Sequence, residues 1–231
     1  MNENDPKLVK PILEVRREGL LDPRNPGKWS ATIDELLPVL HQLRQGRAHG
    51  ISHVAEIGVR YGETAGTMLE VFPEIEKYYA IDPFEVYDDY ATDGFNNDLA
   101  RYGPDVVYDH FIQGFGHEPC MHILRMRSSA AVTKIKDKEL DFCFIDGNHA
   151  YEYVYEDIQN YYPKVRAGGI IAGDDYFMRH HRNDPLGKGG YNEDMVYEAV
   201  QDFFNQCGWR PPIQTVGVHQ GYPKLWWVRK S

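Results

Sequence analysis

Residues 140–176 read LDFCFIDGNHAYEYVYEDIQNYYPKVRAGGIIAGDDY. Leu140–Ile145 is a short apolar run with the look of a buried strand. Tyr151, Val154, Ile158 and Tyr161 then recur at helical spacing. Gly168-Gly169 opens a second apolar run, Gly169–Ala172. Strand, helix and strand in this order make a βαβ unit, which calls for a parallel sheet. Both strands end on acids: Asp146 after the first, Asp174 and Asp175 after the second. Five tyrosines (151, 153, 155, 161 and 162) crowd the intervening helix, and most are expected to pack against the sheet.

The same alternation extends outward in both directions. Upstream, His53–Ile57, Tyr78–Ile81 and His122–Met126 read as strands. Helices are expected at Glu63–Phe72, around Asp105–Phe115 and at Ser129–Ile135. Downstream, Val196, Val200, Phe203 and Cys207 mark a helix. Ile213–Val218 and Leu225–Val228 form two strands joined through His219-Gln220-Gly221-Tyr222, a hairpin-like connection. The expected fold is α/β: a seven-stranded, mostly parallel sheet with an antiparallel last strand and helices on both faces.

Residues 1–50 read as a helical extension ahead of a domain spanning 51–231. Leu8, Val9, Ile12, Leu13 and Val15 sit at helical spacing, and a turn-rich stretch follows at 22–27. Thr32 and Glu35 have capping-box spacing. Pro38 should kink the next helix or delay its start.

Composition narrows the function. The chain has 231 residues, 42% hydrophobic and 26% charged, which is ordinary globular usage. Acids outnumber bases 35 to 25, a formal charge of −10. That disfavours nucleic acid and anionic membrane surfaces as partners. Three widely spaced cysteines suggest free thiols in a reducing compartment. With no leader-like or spanning apolar segment, the expectation is a soluble, cytoplasmic protein. Self-association is left open.

The segment Glu56-Ile57-Gly58-Val59-Arg60-Tyr61-Gly62-Glu63-Thr64 lies between the first strand and its helix. Open α/β sheets bind nucleotide-like ligands there, outside the carboxyl ends of the strands. Gly58 and Gly62 permit a tight turn and close approach, but Arg60 stands where a dinucleotide site has its second glycine. Glu56 would also repel a phosphate. Asp82 ends the second strand, 24 residues after Gly58, where a carboxylate can accept from ribose hydroxyls. An adenosine-like ligand without phosphates fits, and S-adenosylmethionine is one, with a cationic sulfonium and amine near Glu56. The plainer alternative is a structural turn with a surface Asp.

Asp146, Asp174 and Asp175 should meet at one sheet edge. Clustered carboxylates raise one another's pKa unless a cation neutralises them. Mg²⁺ (or Mn²⁺) held through oxygens resolves that; acids at strand ends can instead simply cap helices. His149, three residues after Asp146, is a general base, a metal ligand or a capping residue. Tyr176, Arg179, His180 and His181, in or beside a polar loop ending at Gly190, are candidates to meet a polar substrate. The loop could act as a lid or be plain connection.

These residues resemble class I S-adenosylmethionine-dependent methyltransferases over about 53–176. They look most like the metal-dependent O-methyltransferases that modify sugars on macrolide and aminocoumarin antibiotics and related glycans. AEIGVRYGETA resembles the first motif of that family, YAIDPF its ribose motif and RSSAAV its adenine-side segment. FIDGNHAYEYVYEDIQNYYPKVRAGGIIAGDDY resembles its metal region.

The resemblance implies a Rossmann-like class I methyltransferase fold. It implies that Gly58, Gly62 and Thr64 hold the methionine end, with Glu56 beside it. Asp82 would hold the ribose, and Ser128 and Ser129 would flank the adenine. Asp146, Asp174 and Asp175 would bind the metal, and His149 with Asp146 would form the catalytic pair. Catechol-type relatives carry a lysine where this chain has His149, which points away from a catechol and toward a sugar or glycan hydroxyl. A phenolic or other small-molecule acceptor, and a non-catalytic ligand-binding relative, are the alternatives.

Overall fold

The computed structural model describes residues 32–86, 99–178, 195–206, 211–219 and 221–231. The expected helix over Leu8–Val15, the turn at 22–27, Cys207 and the segment carrying Arg179, His180 and His181 lie outside the described residues.

Seven strands form one sheet: β1 His53–Ile57, β2 Lys77–Ile81, β3 Met121–Leu124, β4 Leu140–Ile145, β5 Val165–Gly173, β6 Gln214–His219 and β7 Tyr222–Arg229. Their order is β3-β2-β1-β4-β5-β7-β6. β1 to β5 run parallel, and β7 is antiparallel to both β5 and β6. His219 pairs with Tyr222, and Gly221 between them has φ 92°, so the last two strands do make a tight hairpin.

The helices are α1 Leu37–Gln45, α2 Glu63–Val71, α3 Pro104–Phe115, α4 Ser128–Ala131, α5 Tyr151–Tyr161 and α6 Val196–Gln206. All six residues of β4 are buried, as a strand covered on both faces requires. Alternate strand residues feed two apolar layers. Val54, Tyr78, Ala80, Phe142 and Phe144 face one layer with Leu40 of α1, Met68 of α2 and Phe111 of α3. Ala55, Ile57, Ile81, Cys143 and Ile145 face the other with Ala131 of α4, Ile158 of α5 and Val200 of α6. Ile33, Leu36, Leu40 and Leu43, from the expected N-terminal extension, are buried in the first layer. No helix among the described residues is long and apolar enough to cross a membrane.

Three local expectations are corrected. β5 begins at Val165, four residues before Gly169, and its pairing with β4 shifts register between Leu140 and Phe142. A bulge there absorbs the extra residues, with Gly168 at φ 74°. The expected capping box does not cap the α-helix: Thr32–Leu36 is a 3₁₀ turn, Pro38 falls in the first turn of α1, and its N-cap residue, Leu36, makes no side-chain cap bond. Pro38 therefore delays the α-helix rather than kinking it. Of the five tyrosines at 151, 153, 155, 161 and 162, only Tyr161 and Tyr162 are buried. Tyr151 and Tyr155 stack on each other and reach Asp202 and Gln206 of α6.

Register positions the site. Ile57 lies opposite both Ile81 and Ile145, Ile81 opposite Leu124, and Ile145 opposite Gly173. The next residues are therefore level along the carboxyl edge: Gly58, Asp82, Asp146 and Asp174. Backbone bonds continue one step beyond the strands, Gly58 N–H to Ile81 O (2.9 Å), Asp146 N–H to Ile57 O (2.8 Å) and Asp174 N–H to Ile145 O (3.1 Å).

Candidate active site at the carboxyl edge

Gly58 and Gly62 have φ 83° and 88°, the left-handed region that favours glycine. What they approach, however, is protein. A Cβ on Gly58 would lie 2.0 Å from the carbonyl oxygen of Asp146, and one on Gly62 would lie 2.1 Å from the Phe115 ring. Each glycine therefore has a structural reason to be there, apart from any ligand. Gly58 lets the β1 and β4 turns touch, and Gly62 opens α2 against α3.

Asp82, buried beside them, accepts the amides of Val59 (3.1 Å) and Arg60 (3.2 Å) at Oδ2 and that of Phe84 (2.7 Å) at Oδ1. The acid expected at a ribose thus also sets the shape of the glycine turn. Thr64 is buried in the first turn of α2, Ser128 is half-buried and Ser129 exposed, both at the start of α4.

Glu56 is 2% exposed and accepts a 2.5 Å hydrogen bond from Tyr78 Oη. Burial pushes its carboxyl well above the usual carboxylate range. The Tyr78 bond opposes this, and the charges of Asp146, Glu63 and Asp82 add to it. Asp146 is raised to about 6, first by burial and further by Asp174, against the pull of His149 and Arg60. Three acids, just after β2, just after β4 and in the first turn of α2, therefore act on Glu56 of β1 around the glycine turn.

Asp174 Oδ1 accepts the amide of Asp175 (2.7 Å), and Asp175 has φ 54°, a region Asp tolerates better than most residues. His149 Nε2 lies 3.2 Å from Asp175 Oδ2 and 3.7 Å from Asp146 Oδ1. Its carbonyl accepts the amide of Met195 (3.1 Å), which ties the turn to the start of α6. The sequence-expected trio and His149 thus come together.

Among the described residues, no group of three His, Cys, Asp or Glu side chains is arranged to hold a metal ion. The donor chemistry fits a hard cation, since all three side chains offer carboxylate oxygens and Asp174 adds to the rise of the Asp146 carboxyl. In the arrangement seen, the imidazole lies against two of the three carboxylates.

Tyr176, a candidate substrate residue, is 4% exposed. Its hydroxyl accepts from Gln201 Nε2 (2.6 Å) and its ring packs on Tyr197. It is bound into the α6 side of the core. Arg179, His180 and His181 lie outside the described residues. Sequence reasoning missed Tyr78 and Asp157. The latter left a signal, a lone acid inside the apolar stripe Val154, Ile158, Tyr161.

A family model described as a methyltransferase domain matches residues 55–176. The uncharacterized protein R132 of Acanthamoeba polyphaga mimivirus is 41% identical over 58 residues, 24% of this chain. That match spans about a quarter (26%) of the relative's length. Among solved structures, a Klebsiella pneumoniae protein assigned as an O-methyltransferase is similar at TM-score 0.54 and 17% identity, covering 97% of this chain and 90% of that one. CalS11, a TDP-rhamnose 3′-O-methyltransferase of calicheamicin biosynthesis, is similar at TM-score 0.50 and 14% identity, covering 97% and 95%. These likenesses concern the fold, a Rossmann-like methyltransferase sheet with its last strand pair antiparallel. With the matched region spanning more than half of its length, the chain belongs to the methyltransferase domain family.

Proposed function

We propose that this chain transfers a methyl group from S-adenosylmethionine to a hydroxyl of a sugar or glycan, with a divalent metal at Asp146, Asp174 and Asp175. The observation that carries the cofactor is the group of acids around the glycine turn. The Glu63, Asp82 and Asp146 carboxylates, near enough to act on Glu56, raise the cost of any anion there. A dinucleotide pyrophosphate would be repelled, whereas a sulfonium and an ammonium would be drawn in. The likeness to CalS11, which acts on a nucleotide-linked sugar, supports a sugar acceptor.

In the reaction, an acceptor oxygen attacks the methyl carbon in line. The carbon–sulfur bond breaks, its electron pair stays on sulfur, and S-adenosylhomocysteine leaves. Asp82 with the Val59–Arg60 amides holds the turn against the cofactor. His149 takes the hydroxyl proton, oriented by Asp175 and Asp146, as an imidazole between two carboxylates is well placed to do. Bound Mg²⁺ or Mn²⁺ would supply Lewis-acid polarisation of the acceptor hydroxyl. Alignment of oxygen and methyl contributes much of the rest. The acceptor is a small molecule or glycan, and the reaction requires neither a nucleic acid nor a membrane.

The test has two stages. Calorimetry should detect S-adenosylmethionine and S-adenosylhomocysteine but not NAD⁺; binding of NAD⁺ alone would sink the cofactor reading. Labelled S-adenosylmethionine is then offered with free sugars, nucleotide sugars, glycans and catechols. Methyl transfer to a sugar hydroxyl, lost in EDTA and restored by Mg²⁺ or Mn²⁺, supports the whole reading. Full turnover in chelator removes the metal, and transfer only to catechols removes the sugar.

A further inference from the structure

Asp157 and Tyr161 lie one helical turn apart on α5, so their side chains leave the helix on the same face. Both end on one residue of another element. Tyr161 Oη donates to the carbonyl oxygen of Ser128 at 2.9 Å, and the Ser128 side chain lies close enough to the Asp157 carboxyl to favour its charged form. Asp157 is 4% exposed and the Tyr161 ring is fully buried. Burial lifts the Asp157 carboxyl to about 7, against the influence of the Ser128 side chain. An acid in that position weakens the core, and the neighbouring inward residues, Val154 and Ile158, are aliphatic. Packing alone gives no reason for it.

The surroundings give one. Ser128 opens α4 just beyond β3, at the same carboxyl edge as Gly58, Asp82 and Asp146. The ion pair of Arg127 with Glu85 (3.2 Å) joins the lead-in of α4 to the segment after Asp82. A Cβ on Gly147 would lie 3.8 Å from Asp157 Oδ2, so this carboxyl sits beneath the β4 turn as well. These segments border the crevice where strand order reverses between β1 and β4, the place open α/β sheets use for nucleosides. α5 begins two residues after His149, and one rigid helix therefore connects the Asp146–His149 turn to Ser128.

We propose that Asp157 and Tyr161 are positioning residues for the nucleoside half of the cofactor: from beneath the crevice they hold the Ser128 segment in register with the β4 turn. Neither touches the ligand; both act through Ser128. The inference rests on the S-adenosylmethionine reading above.

Calorimetry on the full chain with two probes tests it. S-adenosylhomocysteine carries both halves of the cofactor, and 5′-methylthioadenosine carries the nucleoside half alone. Tyr161→Phe and Asp157→Ala should weaken both probes by the same factor, roughly 5- to 20-fold, the scale of one lost buried hydrogen bond. Asp157→Asn, whose amide oxygen can still accept from Ser128, should recover most of the loss. Thr64→Val, at the methionine end, should weaken S-adenosylhomocysteine only. Circular dichroism checks that each variant is folded; if Asp157→Ala is not, Tyr161→Phe, which keeps the ring, carries the test. Folded variants that bind both probes like the wild type, or that lose S-adenosylhomocysteine alone, overturn the inference while leaving the cofactor reading intact. A wild type that binds neither probe overturns the cofactor reading, and the inference with it.

Discussion

Buried acids stand at both edges of the sheet, and the two edges treat them differently. At the amino edge, Asp141 of β4 accepts from Ser52 N (2.9 Å), Ser52 Oγ (3.1 Å) and His53 N (3.0 Å), and pairs with Arg47 and with Arg166 (3.4 Å). At the carboxyl edge, Glu56 and Asp146 face other acids, and burial pushes both carboxyls upward. The same residue type is thus a latch where several donors and two arginines converge on one carboxylate, and is held toward its protonated form where burial and neighbouring acids outweigh its donors. Removing a partner costs stability in the first arrangement, whereas the second already gives some up through burial of its acids.

Four measurements test the contrast. The largest effect is expected at the carboxyl edge: His149→Ala should lower kcat about 10²- to 10⁴-fold, roughly 3–5 kcal/mol in the barrier, with metal affinity nearly unchanged. Recovery of the rate by excess Mg²⁺ would show a ligand instead of a base. Next, Asp141→Ala should destabilise the fold by about 3–5 kcal/mol, because it strands Arg47, Arg166 and the Ser52 amide at once. Urea denaturation measures it, and a loss under 1 kcal/mol would erase the distinction between the edges.

Asp157 gives the third. Its pKa rises from 3.8 to about 7 in the fold, so between those values the folded state holds a proton the unfolded state has lost. Its contribution is therefore present below pH 3.8 and lost as pH rises toward 7 and beyond. Asp157→Asn removes that slope. From pH 4.5 to 7.5 the wild type should lose roughly 3 kcal/mol more stability than the variant. Parallel pH profiles for the two proteins would refute it. The smallest effect is at Asp82: Asp82→Ala should weaken S-adenosylmethionine by about 1.5–3 kcal/mol, the scale of charge-assisted hydrogen bonds. Unchanged affinity by calorimetry would return Asp82 to a purely structural role.

Much of this was legible in the chain. Alternating apolar runs and helical stripes identified all seven strands, and acids directly after Ile81, Ile145 and Gly173 marked the edge. The bulge in β5 was hidden because Gly168-Gly169 reads as a turn that opens the strand, although the strand runs through it from Val165. Tyr78 looked like one more strand aromatic, since nothing local says that its hydroxyl meets Glu56 on the neighbouring strand. The Phe115 ring against Gly62 joins residues more than fifty positions apart, so no window of sequence contains both.

The sequence by itself determined the αβ alternation, the glycine turn and the acids at strand ends, because each depends on residues near one another along the chain. Periodicity and φ preference are local properties, and they survive without knowledge of neighbours. Only the tertiary structure decided which acids share a field, that His149 lies between Asp146 and Asp175, and that Asp157 and Tyr161 meet Ser128. Those are set by strand order and register, which bring Ile57, Ile81, Ile145 and Gly173 level. Electrostatic coupling depends on distance through the fold rather than along the chain, so the chemistry of this edge appears only once the strands are side by side.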